Sequence, residues 1–135
     1  MDTDINNKDK EKDKDYSKKE LTGKIIGACF EVSNELGVGF LESVYEKALF
    51  VALIEKGLHV EEQVSLEVTF RNQIVGTFYA DIFVENDVVI ELKAVKSLKP
   101  EHEAQLINYL KASGKHIGLL VNFGKTKLEW KRFVY

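Results

Sequence analysis

Two carboxylates and a lysine lie close together in the segment FYADIFVENDVVIELKAV, residues 78–95. The alternation of polar and apolar residues predicts two antiparallel strands, and the polar residues 85–87 predict the turn between them. A three-residue turn places Asp81 opposite Glu91. Because successive side chains of a strand point to opposite faces, Asp81, Glu91 and Lys93 then share one face of the hairpin.

This arrangement requires a compensating positive charge, because like charges opposed at about 5 Å destabilise a strand pair. Lys93 is one candidate. A divalent cation, Mg²⁺ or Mn²⁺, is the other, since hard cations prefer carboxylate oxygens and water. Such an ion would polarise a phosphoryl oxygen and lower the pKa of bound water, while Lys93 would orient the attacking water or stabilise developing charge.

Two alternatives to this site remain open from the residues alone. The three charged groups also fit an ordinary ion-pair network on the solvent face of a sheet. In addition, a two-residue turn at Asn86-Asp87 would place Asp81 opposite Leu92 and would dissolve the site. The apolar face of the predicted hairpin is formed by Ala80, Ile82, Val84, Val88, Ile90 and Leu92.

Other elements must hold this hairpin in place. Apolar residues at helical spacing predict a helix over residues 21–36 and a second in LESVYEKALFVALIEK, with Gly37 and Gly57 as their stops. After Gly57 the apolar period changes to two, which predicts three or four antiparallel strands in a meander. The charged hairpin is the last part of this meander.

A third helix and two further strands complete the chain. Pro100 stands where a helix begins, and Gly114 ends it. The apolar run HIGLLVNF predicts a strand buried on both faces, and LEWKRFVY predicts a final strand. The predicted fold class is therefore α/β (α+β), with a mixed central sheet flanked by helices and the order α-α-β-β-β-α-β-β.

Length and composition restrict the class of protein. The chain has 135 residues with a net charge of −3, which predicts a single domain. The single cysteine, Cys29, excludes an intramolecular disulfide, a thiolate zinc cluster and a CxxC redox pair. The sequence offers neither a membrane-spanning apolar run nor the apolar region of a signal peptide. We expect a soluble, cytoplasmic protein with no membrane partner.

Charge is unevenly distributed along the chain. Thirteen of residues 1–20 are charged, which predicts a disordered tail before a single domain at residues 21–135. The alternative is a charged extension of the first helix. Residues 93–135 carry 9 basic and 3 acidic side chains. This segment predicts either a phosphate-binding face or lysines spread around the surface.

The segment ELGVGFLESVYEKAL contains a further motif, Gly39-x-x-Glu42-x-x-Tyr45. Together with YADIFVENDVVIELKAV and EAQLINYLKASGKHIGLLVNFG, it resembles the GxxExxY proteins of the PD-(D/E)XK nuclease-like superfamily. The resemblance covers about residues 21–135 and implies an αβββαβ core. Gly39 and Tyr45 are the other residues of the naming motif, and Tyr45 also fits a simple packing role.

The resemblance also implies roles for particular residues. Asp81 and Glu91 become metal-binding carboxylates, and Lys93 becomes the catalytic lysine. Glu42 resembles the helical acidic residue that joins the metal site in this superfamily. Gln105 and Tyr109 match a Q-x-x-x-Y motif on the helix after the lysine strand. They are implied to assist catalysis, although a packing role for Tyr109 and a solvated one for Gln105 remain open.

The expected function is a Mg²⁺-dependent nuclease that hydrolyses phosphodiester bonds in DNA or RNA through a metal-activated water. The alternative is a catalytically silent module that binds nucleic acid or protein on the same fold. A third alternative is a regulatory protein whose acidic first half docks a basic partner. A domain of this size leaves little room for a substrate channel, so a second copy or a protein partner is expected to complete it.

Overall fold

The computed structural model describes the backbone of residues 3–135 and the side chains of residues 18–135. Three helices and five strands are present in this part of the chain, in the order that the sequence predicts. Their bounds are α1 Thr3–Leu36, α2 Glu42–Glu55, β1 Val60–Phe70, β2 Gln73–Val84, β3 Val88–Lys93, α3 Pro100–Ser113, β4 Ile117–Asn122 and β5 Glu129–Val134. The predicted fold class is confirmed.

Helix α1 begins at Thr3, so the backbone of residues 3–20 continues the first predicted helix. The disordered tail over residues 1–20 and its alternative, a charged extension of the first helix, both stay predictions. Residues 1–2 and the side chains of residues 3–17 lie outside the described part, and the domain boundary at residue 20 stays a prediction. No helix in the described range is long and apolar enough to cross a membrane.

The five strands form one mixed sheet with the order β1-β2-β3-β4-β5. Strands β1, β2 and β3 are antiparallel neighbours, as expected for a meander. Helix α3 is the crossover that makes β3 and β4 parallel, and β5 returns antiparallel to β4. Every residue of β4 is buried, which confirms a central strand covered on both faces.

Helices cover both faces of the sheet and enclose two apolar cores. On one face α1 and α2 pack over a large core, whereas on the other face α3 packs over a small one. The large core includes Ile25, Cys29, Tyr45, Leu49, Leu53, Ile82, Ile90, Leu92, Leu119 and Val121. The small core consists of Ala80, Phe83, Val89, Leu106, Leu110 and Leu120.

The register of the β2–β3 hairpin is the one that a three-residue turn requires. Ile82 lies opposite Ile90, and Val84 lies opposite Val88. The two-residue turn is therefore wrong, and Asp81 and Glu91 occupy corresponding positions just beyond the last pair of the ladder.

The predicted face of Ala80 is wrong. Strict alternation would place it with Ile82 in the large core, but Ala80 packs with Phe83 on the α3 side. The cause is an interruption of both strands at the same level: Gln63 has φ 51°, and no ladder pair joins it to Asp81. Beyond this level, the β1–β2 ribbon turns its other face toward α3.

A buried amide holds the loop that follows Lys93. Asn122 is fully buried, and its Oδ1 accepts hydrogen bonds from the backbone N–H groups of Val95 and Gly124, both at 3.0 Å. Its Nδ2 donates to the Val95 carbonyl at 2.9 Å and to Glu129 Oε1 at 3.2 Å. Glu129 also accepts from the Leu98 N–H at 3.1 Å. The connection from β3 to α3 is thus tied to β4 and β5.

Replacing Asn122 by leucine is expected to destabilise the protein by about 3 kcal/mol, because buried backbone groups of the loop lose their partners. Denaturant unfolding measures the difference. Asn108→Leu, on an exposed position of α3, is the matched control and should have little effect. Equal free energies of unfolding for the two variants would show that Asn122 does not hold the loop in this way.

Candidate active site

Asp81 lies at the point where the β2–β3 ladder ends. Its Oδ2 accepts a hydrogen bond from the backbone N–H of Leu92 at 2.8 Å. The carboxylate thus takes the place that a strand carbonyl would occupy in a regular ladder. Because Leu92 stands between Glu91 and Lys93, this bond ties Asp81 to the segment of β3 that carries the other two groups.

Glu91 is a buried carboxylate with an unsatisfied oxygen. The residue is 8% exposed, and its Oε1 is inaccessible and has no hydrogen-bond partner. Burial, and then the neighbouring charge of Asp81, raises its pKa to about 8. A hydrogen bond with the Asp81 backbone, and then the charge of the half-buried Lys93 on the same face of β3, lower the pKa without cancelling these effects. The negative charge of the two carboxylates is therefore only partly balanced by the groups around them.

Helix α3 brings the Q-x-x-x-Y residues to the same face. The ring of Tyr109 stacks on Phe78 of β2, with 3.7 Å between centroids. The pKa of Tyr109 is raised by burial and then by the charges of Glu91 and Asp81, whereas a hydrogen bond from Gln105 lowers it. Gln105 itself is exposed. Five predicted residues, from two strands and one helix, therefore converge.

The structure adds two groups that the sequence reasoning missed. Gln63 Nε2 donates to Glu46 Oε1 at 2.8 Å and to Asp81 Oδ1 at 3.4 Å. Burial, and then a hydrogen bond with Glu62, raises the pKa of Glu46 to about 7, and Asp81 adds to the rise. The available signal was helical spacing: Glu46 is four residues after Glu42, and so lies on the same helix face.

In the described part of the chain, Glu42 has no polar contact that ties it to the other candidate residues of the site. It is the first residue of α2 and is exposed, and it forms no hydrogen bond or ion pair with the described residues. Within residues 18–135, no three His, Cys, Asp or Glu side chains are grouped closely enough to hold a metal ion. A metal-binding role for Glu42 stays a prediction.

Gly39 and Tyr45 shape the loop before α2. The buried Tyr45 hydroxyl donates to the Gly37 carbonyl at 2.6 Å and accepts from the Phe40 N–H at 3.3 Å. Its ring stacks on Phe123, with 4.9 Å between centroids. Gly39 has φ +107°, a conformation that other residues rarely adopt. These contacts describe an anchoring residue and a turn residue.

Replacing Tyr45 by phenylalanine is expected to lower the free energy of unfolding by about 1–2 kcal/mol, because the loop loses two hydrogen bonds. Any metal-dependent activity should survive at temperatures where the variant is folded. Denaturant unfolding and a cleavage assay measure both effects, with the exposed Tyr79→Phe as the matched control. An inactive but stable variant would instead indicate a direct chemical role.

Comparisons with known proteins agree with this geometry. A family model described as the PD-(D/E)XK nuclease superfamily matches residues 19–133. No curated protein matches the chain significantly. The match is to the superfamily as a whole, so the narrower GxxExxY resemblance stays a prediction.

Two solved structures share the fold. The crystal structure of SSO0001 aligns with a TM-score of 0.51 and 20% identity, covering 69% of this chain and 50% of that one. An alkaline exonuclease from Laribacter hongkongensis aligns with a TM-score of 0.50 and 18% identity, covering 68% of this chain and 54% of that one. The chain thus spans about half the length of each.

The sequence match covers most of the chain, and the αβββαβ order and the convergence of Asp81, Glu91 and Lys93 agree with it. The chain belongs to the PD-(D/E)XK nuclease superfamily.

Proposed function

We propose that this protein is a divalent-metal-dependent nuclease that hydrolyses phosphodiester bonds in DNA or RNA. One observation carries the proposal: Glu91 is buried beside Asp81 with an unsatisfied Oε1 and a pKa of about 8. Unpaired buried carboxylates are costly to a fold, and strongly perturbed acids are typical of functional sites. The superfamily match supports the same conclusion.

The residues present fit a divalent cation. Superfamily members generally use divalent metals, and an ion held by Asp81 and Glu91 would satisfy the unpartnered Oε1 and relieve the repulsion between the carboxylates. Mg²⁺ commonly takes only one or two carboxylates and completes its shell with water, so a cluster of three acids is not required. Glu42 and Glu46, one turn apart on α2, are the candidates for a further contact. The ion would activate water and polarise a phosphoryl oxygen.

Lys93 would supply the positive charge that the reaction needs. Its side chain lies on the same face as Glu91, and it forms no ion pair with any described acidic residue. An ammonium group there can orient a water molecule for attack and stabilise the negative charge that develops on the phosphorus oxygens. Tyr109 and Gln105 would donate hydrogen bonds to the phosphate from the α3 side.

The exposed lysines of the loop between β3 and α3 favour a polyanionic substrate. Lys96 and Lys99 are both exposed on this loop, directly after Lys93, and neither is ion-paired within the described residues. Clustered lysines beside a cleavage site attract phosphates in a salt-dependent manner. We propose a nucleic-acid substrate, with a second copy of the chain or a protein partner completing the channel.

We also propose a cytoplasmic location. The single cysteine of the sequence, Cys29, is buried as a free thiol in the large core, and burial raises its pKa to about 12. A thiol of this kind is in keeping with a reducing compartment.

The test is cleavage of labelled single- and double-stranded DNA and RNA in Mg²⁺, in Mn²⁺ and in a chelator. Asp81→Asn removes a proposed ligand, and Asp87→Asn is the matched control on the exposed turn of the same hairpin. Thermal unfolding with and without metal is measured in parallel, because a ligand that binds the native state stabilises it. We expect cleavage and metal stabilisation in Asp87→Asn, and neither in Asp81→Asn.

The alternative function gives a different result. A catalytically silent binding module would show salt-dependent nucleic-acid affinity that survives Asp81→Asn, with no cleavage under any condition. The exposed position of Glu42 is the observation that favours it, because a metal held by Asp81 and Glu91 alone has fewer protein ligands than one that also binds Glu42. Metal stabilisation without cleavage would favour an enzyme that requires its partner, and size-exclusion chromatography with nucleic acid present would test for a second copy.

A further inference from the structure

A cavity lies between α1 and β5, on the face of the sheet opposite α3. Trp130 and Arg132 pair with Val121 and Leu119 of β4, whose side chains belong to the large core beneath α1 and α2. The cavity has a volume of about 360 Å³, which is within the usual range for small-ligand sites. Its lining residues are Lys19, Thr22, Gly23, Ile26, Trp130 and Arg132.

Arg132 and Lys19 are the two charged residues that line this cavity, and Arg132 is the one with an unsatisfied donor. Its Nε is buried without a hydrogen-bond partner, and the guanidinium forms no ion pair with any described residue. Neighbouring cations are satisfied: Lys131 pairs with Glu103, and Lys125 pairs with Glu129. A buried donor without a partner is costly, and the planar guanidinium matches the oxygens of a phosphate. An anion is therefore the natural occupant beside Arg132.

Trp130 adds an aromatic surface next to that charge. Its side chain is 40% exposed, and because it is two residues from Arg132 on the same strand it lies on the same face. Opposite, Gly23 of α1 has open space where a Cβ would stand, and Ile26 is apolar. A planar ring can therefore enter between the helix and the indole, and bases stack readily on such a surface.

We propose that this cavity binds a nucleotide monophosphate, with its base against Trp130 and its phosphate on Arg132. The ligand is either a free mononucleotide or the phosphorylated end of a strand, because both present the same base and phosphate. The lining residues of the cavity come from α1 and β5, whereas the residues of the proposed nuclease site come from α2, α3, β2 and β3. The cavity is thus independent of the proposed nuclease activity.

Trp130 is the only tryptophan of the chain, so its fluorescence reports this cavity alone. The full-length protein is titrated with nucleoside monophosphates, nucleosides, inorganic phosphate, and oligonucleotides with and without a 5′-phosphate. We expect saturable quenching by nucleoside monophosphates and at least tenfold weaker binding of nucleosides and of inorganic phosphate. Quenching by the 5′-phosphorylated oligonucleotide but not by the free monophosphate would identify the strand end as the source.

Variants assign the signal to the cavity. Gly23→Leu fills the space and favours the helix, so the protein should fold while binding is lost. Arg132→Gln should weaken binding at least tenfold, whereas Arg71→Gln on the exposed β1–β2 turn should not. Lys93→Ala should leave the quenching unchanged. Absence of saturable quenching, or quenching that survives Gly23→Leu or is lost in Lys93→Ala, would overturn the proposal.

Discussion

Lys93→Ala is expected to reduce metal-dependent cleavage by a factor on the order of 10²–10³, because one preorganised positive group is removed from the reacting phosphate. The fold should survive. The backbone of Lys93 remains paired with β4, and its carbonyl still accepts from the Phe123 N–H at 2.8 Å. Single-turnover cleavage rates measure the effect without interference from product release.

Lys127→Ala is the matched control, since this lysine is exposed on the β4–β5 loop. It removes one positive charge from the same basic segment, residues 93–135, and should change the rate little. Metal-induced thermal stabilisation should be retained by Lys93→Ala, since the lysine is not a proposed ligand. Equal rates for the two variants would show that the lysine acts only through general electrostatic attraction.

Glu91→Gln is expected to stabilise the metal-free protein at alkaline pH while abolishing cleavage. In the folded protein the carboxyl keeps its proton up to about pH 8, whereas in the unfolded chain it loses the proton near the ordinary value of 4.5. Between these values the native state binds more protons, so the free energy of unfolding falls as pH rises. Above pH 8 the loss is on the order of 5 kcal/mol, and glutamine avoids it.

Denaturant unfolding of metal-free protein from pH 5 to pH 9 tests this expectation. The free energy of unfolding should fall with pH in the parent protein and fall less in Glu91→Gln. Glu101→Gln, on the exposed first turn of α3, should follow the parent. Added Mg²⁺ should recover stability at pH 8 in the parent and not in Glu91→Gln. If the free energy of unfolding changed with pH in the same way in the parent and in Glu91→Gln, the raised pKa of Glu91 would be disproved.

Sequence patterns were sufficient for the element order, and they reduced the register of the hairpin to two turn lengths, of which the structure has the three-residue one. The polar residues 85–87 locate the turn, and the length of that turn sets which residues oppose each other, because these are local rules. The ends of α3 were also predicted from single residues: the helix begins at Pro100, and Gly114 ends it with φ 70°. Such features depend on a few neighbouring residues.

The missed features depend on contacts between distant segments. The interruption at Gln63 and Asp81 reverses the predicted face of Ala80, and no local pattern marks a positive φ at a glutamine. Glu46 lies near Asp81 because α2 packs against β1 and β2, and this packing brings Glu46 within hydrogen-bond distance of Gln63. Periodicity places a residue on a face, whereas its partners from other elements require the assembled fold.

The small core beneath α3 has a consequence for the dynamics of the site. Helix α3 buries only Leu106 and Leu110 against the sheet, whereas α1 and α2 share the extensive core on the other face. Elements with little buried apolar area open at lower free energy than the rest of a fold. The amides of α3 should therefore exchange with deuterium sooner than those of β3 and β4. Tyr109 and Gln105 would then move away from Asp81 and Glu91 and return while the sheet stays intact. This opening would let the proposed nucleic-acid substrate reach the carboxylates.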